Sequence, residues 1–217
     1  MMDYNILFID EESTQHDQFM DYFEQVCPEI VPQCEFPLAT VDEMLQRIEE
    51  LSPDAVVTDF RLNEMRIDIH YNVKYNGIDL INAIREQREG FPCFVITSFD
   101  DEAVNGSDDV NMVYIKDILR PAADKAKVTF AERITRQVDK YRSRIGNARQ
   151  ELSVLIEKRY SGNANVYDEE RIIELDSFLE KSLDSYGSIP EQLKKLSNLD
   201  RLNTLISKVD ELLKKFD

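Results

Sequence analysis

Asp10, Glu11 and Glu12 in a row, then Asp59, the pair Thr97-Ser98 and Lys116, are residues whose types can do chemistry together, because each stands at the end of a short apolar run. Those runs are Asn5 to Ile9, Asp54-Ala-Val-Val-Thr-Asp59, Phe91-Pro-Cys-Phe-Val-Ile-Thr97 and Met112-Val-Tyr-Ile115. Three or more carboxylates brought to one place repel one another, and a hard divalent cation neutralises them. Mg²⁺ accepts a few carboxylates together with waters and phosphoryl oxygens. A carboxylate held beside Mg²⁺ can attack phosphorus as a nucleophile, giving an aspartyl phosphate. The charge developing on the transferring group then needs a cation and a hydroxyl donor, which Lys116 and Thr97 can supply. Taken singly these residues are ordinary: a strand-end Asp caps helices, a strand Thr is β-branched filling, a lone Lys is surface. Their arrival in order at equivalent strand ends carries the reading.

The elements that must position them alternate. Between the apolar runs lie a helix pattern from about Thr14 to Val26, a second short strand around Glu35–Ala39 and a helix opened by Thr40 with Glu43 three positions later, a capping-box spacing. Helical residues 78–88 and a short helical piece near 100–105 follow. Continuous Ile/Val/Phe strands are typically buried on both faces, and strands alternating with helices imply a parallel sheet. The expected fold class is α/β, a five-stranded parallel doubly wound sheet, flavodoxin-like, over residues 1–121. In such a sheet the ligand crevice lies outside the carboxyl ends of the strands, where the named residues stand.

From about residue 122 the rhythm becomes helical, so residues 122–217 are expected to be an all-α hairpin or three-helix bundle that begins with a long helix continuous with the last helix of the sheet domain. Phe130, Ile134, Val138, Tyr141, Ile145, Ala148, Leu152 and Leu155 keep near-heptad spacing, as do Leu199, Leu202, Ile206, Val209, Leu213 and Phe216. Between them Ile172, Leu175, Leu179 and Leu183 share one face, with Gly162 and Gly187-Ser-Ile-Pro190 as punctuation. Heptad spacing fits an intramolecular bundle and a homodimeric coiled coil equally.

The chain of 217 residues is 42% hydrophobic and 32% charged, with a formal charge of −17. That charge has an address: residues 1–129 hold 27 acidic and 10 basic residues, and residues 130–217 hold 16 of each. Net acidity disfavours generic binding to phosphate backbones or anionic membranes. No basic leader and no long apolar run is present, so neither secretion nor membrane spanning is expected and a cytoplasmic location is. Cys27, Cys34 and Cys93 read as reduced thiols.

The segments Ile6-Leu-Phe-Ile-Asp10-Glu11-Glu12, Asp54 to Asp59, Asn76-Gly77-Ile-Asp-Leu-Ile-Asn-Ala-Ile-Arg85, Phe94-Val-Ile-Thr97-Ser98 and Tyr114-Ile-Lys116 together resemble the receiver domain of two-component response regulators. The resemblance implies that Asp59 accepts a phosphoryl group from a histidine kinase or phosphotransfer protein. It implies that Asp10, Glu11, Asp59 and the backbone carbonyl of Arg61 hold Mg²⁺, that Thr97 senses the phosphoryl group, and that Lys116 ion-pairs with it. It implies a phosphoacceptor that assists its own phosphorylation and dephosphorylation, not a dedicated enzyme.

The chain departs from that pattern in several places. Glu11 stands where the family more often has Asp, Asp117 where it usually has Pro, and Val113 where it has a switch aromatic, with Tyr114 on the opposite strand face. The loop 61–76 is long and carries Arg66, His70, Tyr71, Lys74 and Tyr75, a lid if functional and a solvated loop otherwise. The stretch from Thr97 to Met112 is short for a helix with loops. His16 and His70 are the only histidines, His16 reading as surface. No histidine follows residue 70, which rules out a histidine-phosphotransfer role for the helical half.

Binding remains for that half. The leading expectation is a phosphorylation-controlled switch of protein–protein interaction or dimerisation, with a downstream protein partner the sequence does not identify. Arg133, Arg136, Lys140, Arg142, Arg144 and Arg149 form a basic stretch opposed by Glu132 and Asp139. It supports a nucleic-acid-binding, antiterminator-like alternative, which the absence of a reading motif disfavours. A receiver-like scaffold that is never phosphorylated is the third possibility.

Overall fold

A computed structural model of the chain describes residues 4–63, 73–98, 113–119 and 128–183. Tyr4–Ile9 (β1), Ala55–Asp59 (β3) and Cys93–Thr97 (β4) form because their apolar, β-branched runs can be covered on both faces, and every residue of β3 and β4 is buried. Ile30–Glu35 (β2) and Val113–Ile115 (β5) complete a five-stranded sheet of order β2-β1-β3-β4-β5, with every pair parallel. This is the flavodoxin-like order expected.

The second strand lies earlier than the Glu35–Ala39 read from the sequence. Pro32 obscured it, since proline lacks the N–H a central strand must donate. The sheet places Pro32 on an outer strand, where that donor is dispensable. Pro37 follows just past the strand's end.

Alternation along the strands divides the core into two layers. Leu7, Ile9, Val56 and Val95 meet Met44 and Ile48 of Val41–Leu51 (α2) and Ile81 and Ile84 of Gly77–Gln87 (α3). Ile6, Phe8, Val57 and Phe94 meet Phe19, Tyr22 and Phe23 of Ser13–Val26 (α1). The capping box opening α2 is present: Thr40 Oγ1 accepts from Glu43 N at 3.2 Å, and Glu43 Oε2 accepts from Thr40 N at 3.1 Å.

Phe130–Tyr160 (α4) is one helix of 31 residues, about 46 Å long. It starts later than residue 122 because a second capping box sets its beginning: Thr129 Oγ1 accepts from Glu132 N, and Glu132 Oε2 from Thr129 N. Its first turns place Phe130, Ala131, Ile134 and Val138 in the layer with α1. At ~2 kcal/mol per large apolar side chain, that face anchors the start of the helix to the sheet.

The chain divides into two compact units within α4, after Arg142, and residues Gln87–Glu89 fall with the second. The apolar stripe from Phe130 down to Val138 packs with the sheet, so the first part of α4 falls in the first unit. In the second unit, α4 ends in a Schellman turn: Gly162 N–H reaches Arg159 O at 3.1 Å and Asn163 N–H reaches Lys158 O at 3.0 Å. Gly162 has φ +73, which glycine adopts without a Cβ penalty.

Val166–Leu183 (α5) then opens on a reciprocal cap, Asn165 Oδ1 accepting from Asp168 N and Asp168 Oδ2 from Asn165 N. Ile172, Leu175 and Leu179 are buried as expected, whereas Leu183 at the helix end is 42% exposed. The 199–216 heptads, the 100–105 piece and the third helix of a bundle lie outside the described residues. Among the described residues no helix is long and apolar enough to cross a membrane.

Candidate metal and phosphoryl site

The strand register brings the expected residues to one edge of the sheet. Asp59 pairs with Ile96, so Thr97 lies one residue beyond it; Thr97 pairs with Ile115, so Lys116 lies one residue beyond that. Asp10 follows β1 directly. Asp10, Glu11, Asp59 and Thr97 are all buried, and ligand atoms of the three acids lie within 4.8 Å of one another.

Lys116 Nζ bridges two of these acids, 2.9 Å from Asp10 Oδ2 and 2.9 Å from Asp59 Oδ1. The remaining oxygens are held by backbone: Glu12 N–H donates to Asp10 Oδ1 and Arg61 N–H to Asp59 Oδ2, each at 2.9 Å. Gly77 closes the far side of β3. Its N–H donates to Phe60 O at 2.9 Å, and it packs against the backbone of Asp59.

Three carboxylates against one ammonium leave an excess of negative charge in a buried place. Each unscreened pair near 4 Å costs on the order of 4 kcal/mol at an effective dielectric of 20. Burial therefore pushes Asp10 up to about 6, with Asp59 adding to it against the pull of Lys116. Burial pushes Glu11 up to about 8, reinforced by Asp10 and Asp59. Burial works against the charge on Lys116, but Asp10 and Asp59 hold it above the usual lysine range. An all-oxygen donor set with surplus charge suits a hard divalent cation such as Mg²⁺, so these residues fit the metal inferred from the sequence.

Two expectations change. His16 is half-buried instead of a free surface residue: its ring lies against Phe8 and Phe36 and its Nε2 is 2.9 Å from Asp10 O. Its neighbours come from β1 and the end of β2, elements that spacing within α1 does not reveal. Burial holds its imidazole below the ordinary histidine range. Tyr75 is not part of an exposed lid. It is buried, and its hydroxyl donates to Leu38 O at 2.8 Å. Arg66, His70 and Tyr71 lie outside the described residues.

Part of the basic stretch is engaged. Arg142 pairs with Asp54 at 2.6 Å and lies over the Tyr4 ring, Arg133 lies over Tyr114, and Arg144 over Phe178. All three cysteines are free thiols, and burial lifts Cys34 to about 12.

No protein-family model matches the chain, and no curated protein does. Solved structures do. The non-phosphorylated receiver domain of the stress response regulator RcsB from Escherichia coli is 19% identical, with a TM-score of 0.43 over 57% of this chain and 89% of that one. The signal receiver domain of the putative response regulator NarL from Mycobacterium tuberculosis is 15% identical, with a TM-score of 0.39 over 54% and 86%. The Mn²⁺-bound form of the response regulator Rcp1 is 14% identical, with a TM-score of 0.37 over 52% and 79%. The first unit has the flavodoxin-like strand order β2-β1-β3-β4-β5. In the first unit, Val113 packs towards α3, while Tyr114 faces Phe130 and Phe94 on the other side of the sheet, the division that strand alternation implied.

Proposed function

We propose that the chain is a two-component response regulator whose receiver unit is phosphorylated on Asp59 by a histidine kinase or phosphotransfer protein. The observation that carries this reading is the buried Asp10–Glu11–Asp59 group bridged by Lys116 at the carboxyl ends of parallel strands. An Asp59 carboxylate oxygen attacks phosphorus, a new O–P bond forms, and the P–N bond to the donor imidazole breaks, its nitrogen leaving with the electron pair. Asp10, Glu11, Asp59 and the Arg61 carbonyl would hold Mg²⁺, which would supply charge neutralisation for the phosphoryl oxygens. Lys116 already sits on Asp59 and pairs with the phosphoryl group, while Thr97 offers a hydroxyl from the adjacent strand.

The output is a change in protein–protein contact or dimerisation carried by α4, because that helix begins packed on the receiver core and runs on into the second unit. The engagement of Arg133, Arg142 and Arg144 with this chain's own side chains favours protein output over nucleic-acid output.

The test is intact-mass and size-exclusion analysis with Mg²⁺ and acetyl phosphate, for wild type and Asp59→Asn. One added phosphoryl group on wild type alone, with an altered elution volume, is the expected result. No gain, or an equal gain in the variant, overturns it.

A further inference from the structure

The acidic pocket sits on the short turn that opens α1, where Asp10 Oδ1 accepts from Glu12 N–H at 2.9 Å. Glu12 occupies the N-cap position of α1 at φ −109 and ψ 119, and its side chain makes no capping bond. The β ladder is weakening there as well: Ile9 is the last residue of β1 paired with β2, and the next contact, Asp10 N–H to Glu35 O, is long at 3.4 Å. The bond that ties this turn to β2 is thus a long one.

From the helix side the turn is held by His16. The imidazole Nε2 lies 2.9 Å from the Asp10 carbonyl oxygen. That oxygen can only accept, so Nε2 carries the hydrogen. Two aromatic rings pack against it, Phe8 edge-on at 5.8 Å and Phe36 tilted at 4.7 Å between centroids. His16 is tied in turn to the turn itself, its own N–H reaching Glu12 O at 3.3 Å.

The Asp10 carbonyl belongs to the same rigid plane as the Glu11 nitrogen and Cα. Fixing that oxygen fixes where the Glu11 side chain starts and the orientation in which Asp10 leaves the strand. We propose that His16 is a positioning residue of the acidic pocket: its Nε2–H, on a ring packed against Phe8 and Phe36, sets the Asp10–Glu11 peptide plane and so presents both carboxylates to a divalent cation. The assignment rests on the reading of the pocket as a Mg²⁺ site, and it concerns the backbone behind the ligands, not a ligand.

The experiment compares Mg²⁺ affinity of the full chain by titration calorimetry for wild type, His16→Phe and His16→Gln. Phenylalanine keeps a ring against the two aromatic neighbours and removes the donor. Glutamine restores an N–H at similar reach. Groups standing behind metal ligands alter affinity by about 10-fold or more, so His16→Phe is expected to weaken binding about 10-fold with its circular dichroism unchanged, and His16→Gln to recover most of that loss. Amide exchange across residues 10–13 of the metal-free protein is expected to rise in the first variant and return in the second, an effect independent of any metal.

Equal affinity and equal exchange in wild type and His16→Phe overturn the assignment alone. Failure of wild type to bind Mg²⁺ removes the cation reading and this assignment with it. Should His16→Phe lose its fold, His16→Leu carries the same comparison with glutamine.

Discussion

A Cβ placed on Gly77 would lie 2.1 Å from the carbonyl oxygen of Asp59 and 3.0 Å from its carbonyl carbon. The start of α3 is therefore laid directly on the backbone of the candidate phosphoacceptor. Two effects oppose each other in Gly77→Ala: alanine favours the helix by about 1 kcal/mol, but the overlap is with main chain, which cannot rotate away. The steric effect wins, at about 2 kcal/mol or more of net destabilisation. Urea unfolding should show a lower midpoint, and acetyl phosphate should label the variant more slowly than wild type. A midpoint equal to wild type would show that α3 shifts freely.

The acid pair gives stability a defined pH dependence. Glu11 is pushed from its ordinary 4.5 to about 8, and Asp10 from 3.8 to about 6, chiefly by burial. A folded state that holds protons more tightly than the unfolded chain loses stability as pH rises. The loss due to Asp10 accrues from about 4 to 6 and that due to Glu11 from about 4.5 to 8; below that window both states are protonated and the stability is fully retained. Melting temperature in chelator should fall from pH 5 to pH 8 at constant ionic strength. Added Mg²⁺, which requires the ionised carboxylates, should raise it more at pH 8 than at pH 5.

Removing the internal cation should expose the same imbalance. Lys116→Met leaves Asp10 and Asp59 facing each other without the bridge that now satisfies an oxygen of each at 2.9 Å. Breaking a buried pair costs on the order of 3–5 kcal/mol, so the metal-free variant should melt well below wild type. The Mg²⁺-induced rise in melting temperature should be larger than in wild type, because the cation then meets no competing ammonium. An equal rise in both proteins would mean that Lys116 and the metal do not share Asp10 and Asp59.

The sheet and the pocket were legible because both follow from local pattern. Apolar runs ending in Asp10, Asp59, Thr97 and Lys116 specify strands and site together, since parallel strands deliver their carboxyl ends to one edge. What the sequence hid came from contacts between distant residues. Pro32 is compatible with a strand only once β2 is known to be an outer strand. His16 looks solvated until Phe36 and the Asp10 carbonyl are brought to it. Tyr75 looks like loop until its hydroxyl meets Leu38 O. The start of α4 was written locally, in Thr129 and Glu132, and a capping box there could have been read beside the one at Thr40 and Glu43.

Tyr114 links the end of β5 to the start of α4. Tyr114 stands two residues before Lys116 and lies 5.0 Å from the Phe130 ring, with the Arg133 guanidinium 5.7 Å from its own. Phe130 is fully buried and also meets Phe94, three residues before Thr97. The first turn of α4 thus touches both strands whose ends carry the hydroxyl and the cation of the site. Tyr114→Leu keeps an apolar side chain but removes the ring contact and the cation–π contact, the latter worth roughly 0.5–1 kcal/mol at an exposed site. The variant should gain the same phosphoryl mass on Asp59 as wild type, because no ligand or acceptor is touched. Its amide exchange over residues 130–142 should change less on phosphorylation than the wild type's does. A wild-type exchange response in Tyr114→Leu would mean that the signal reaches α4 by a route other than this aromatic contact.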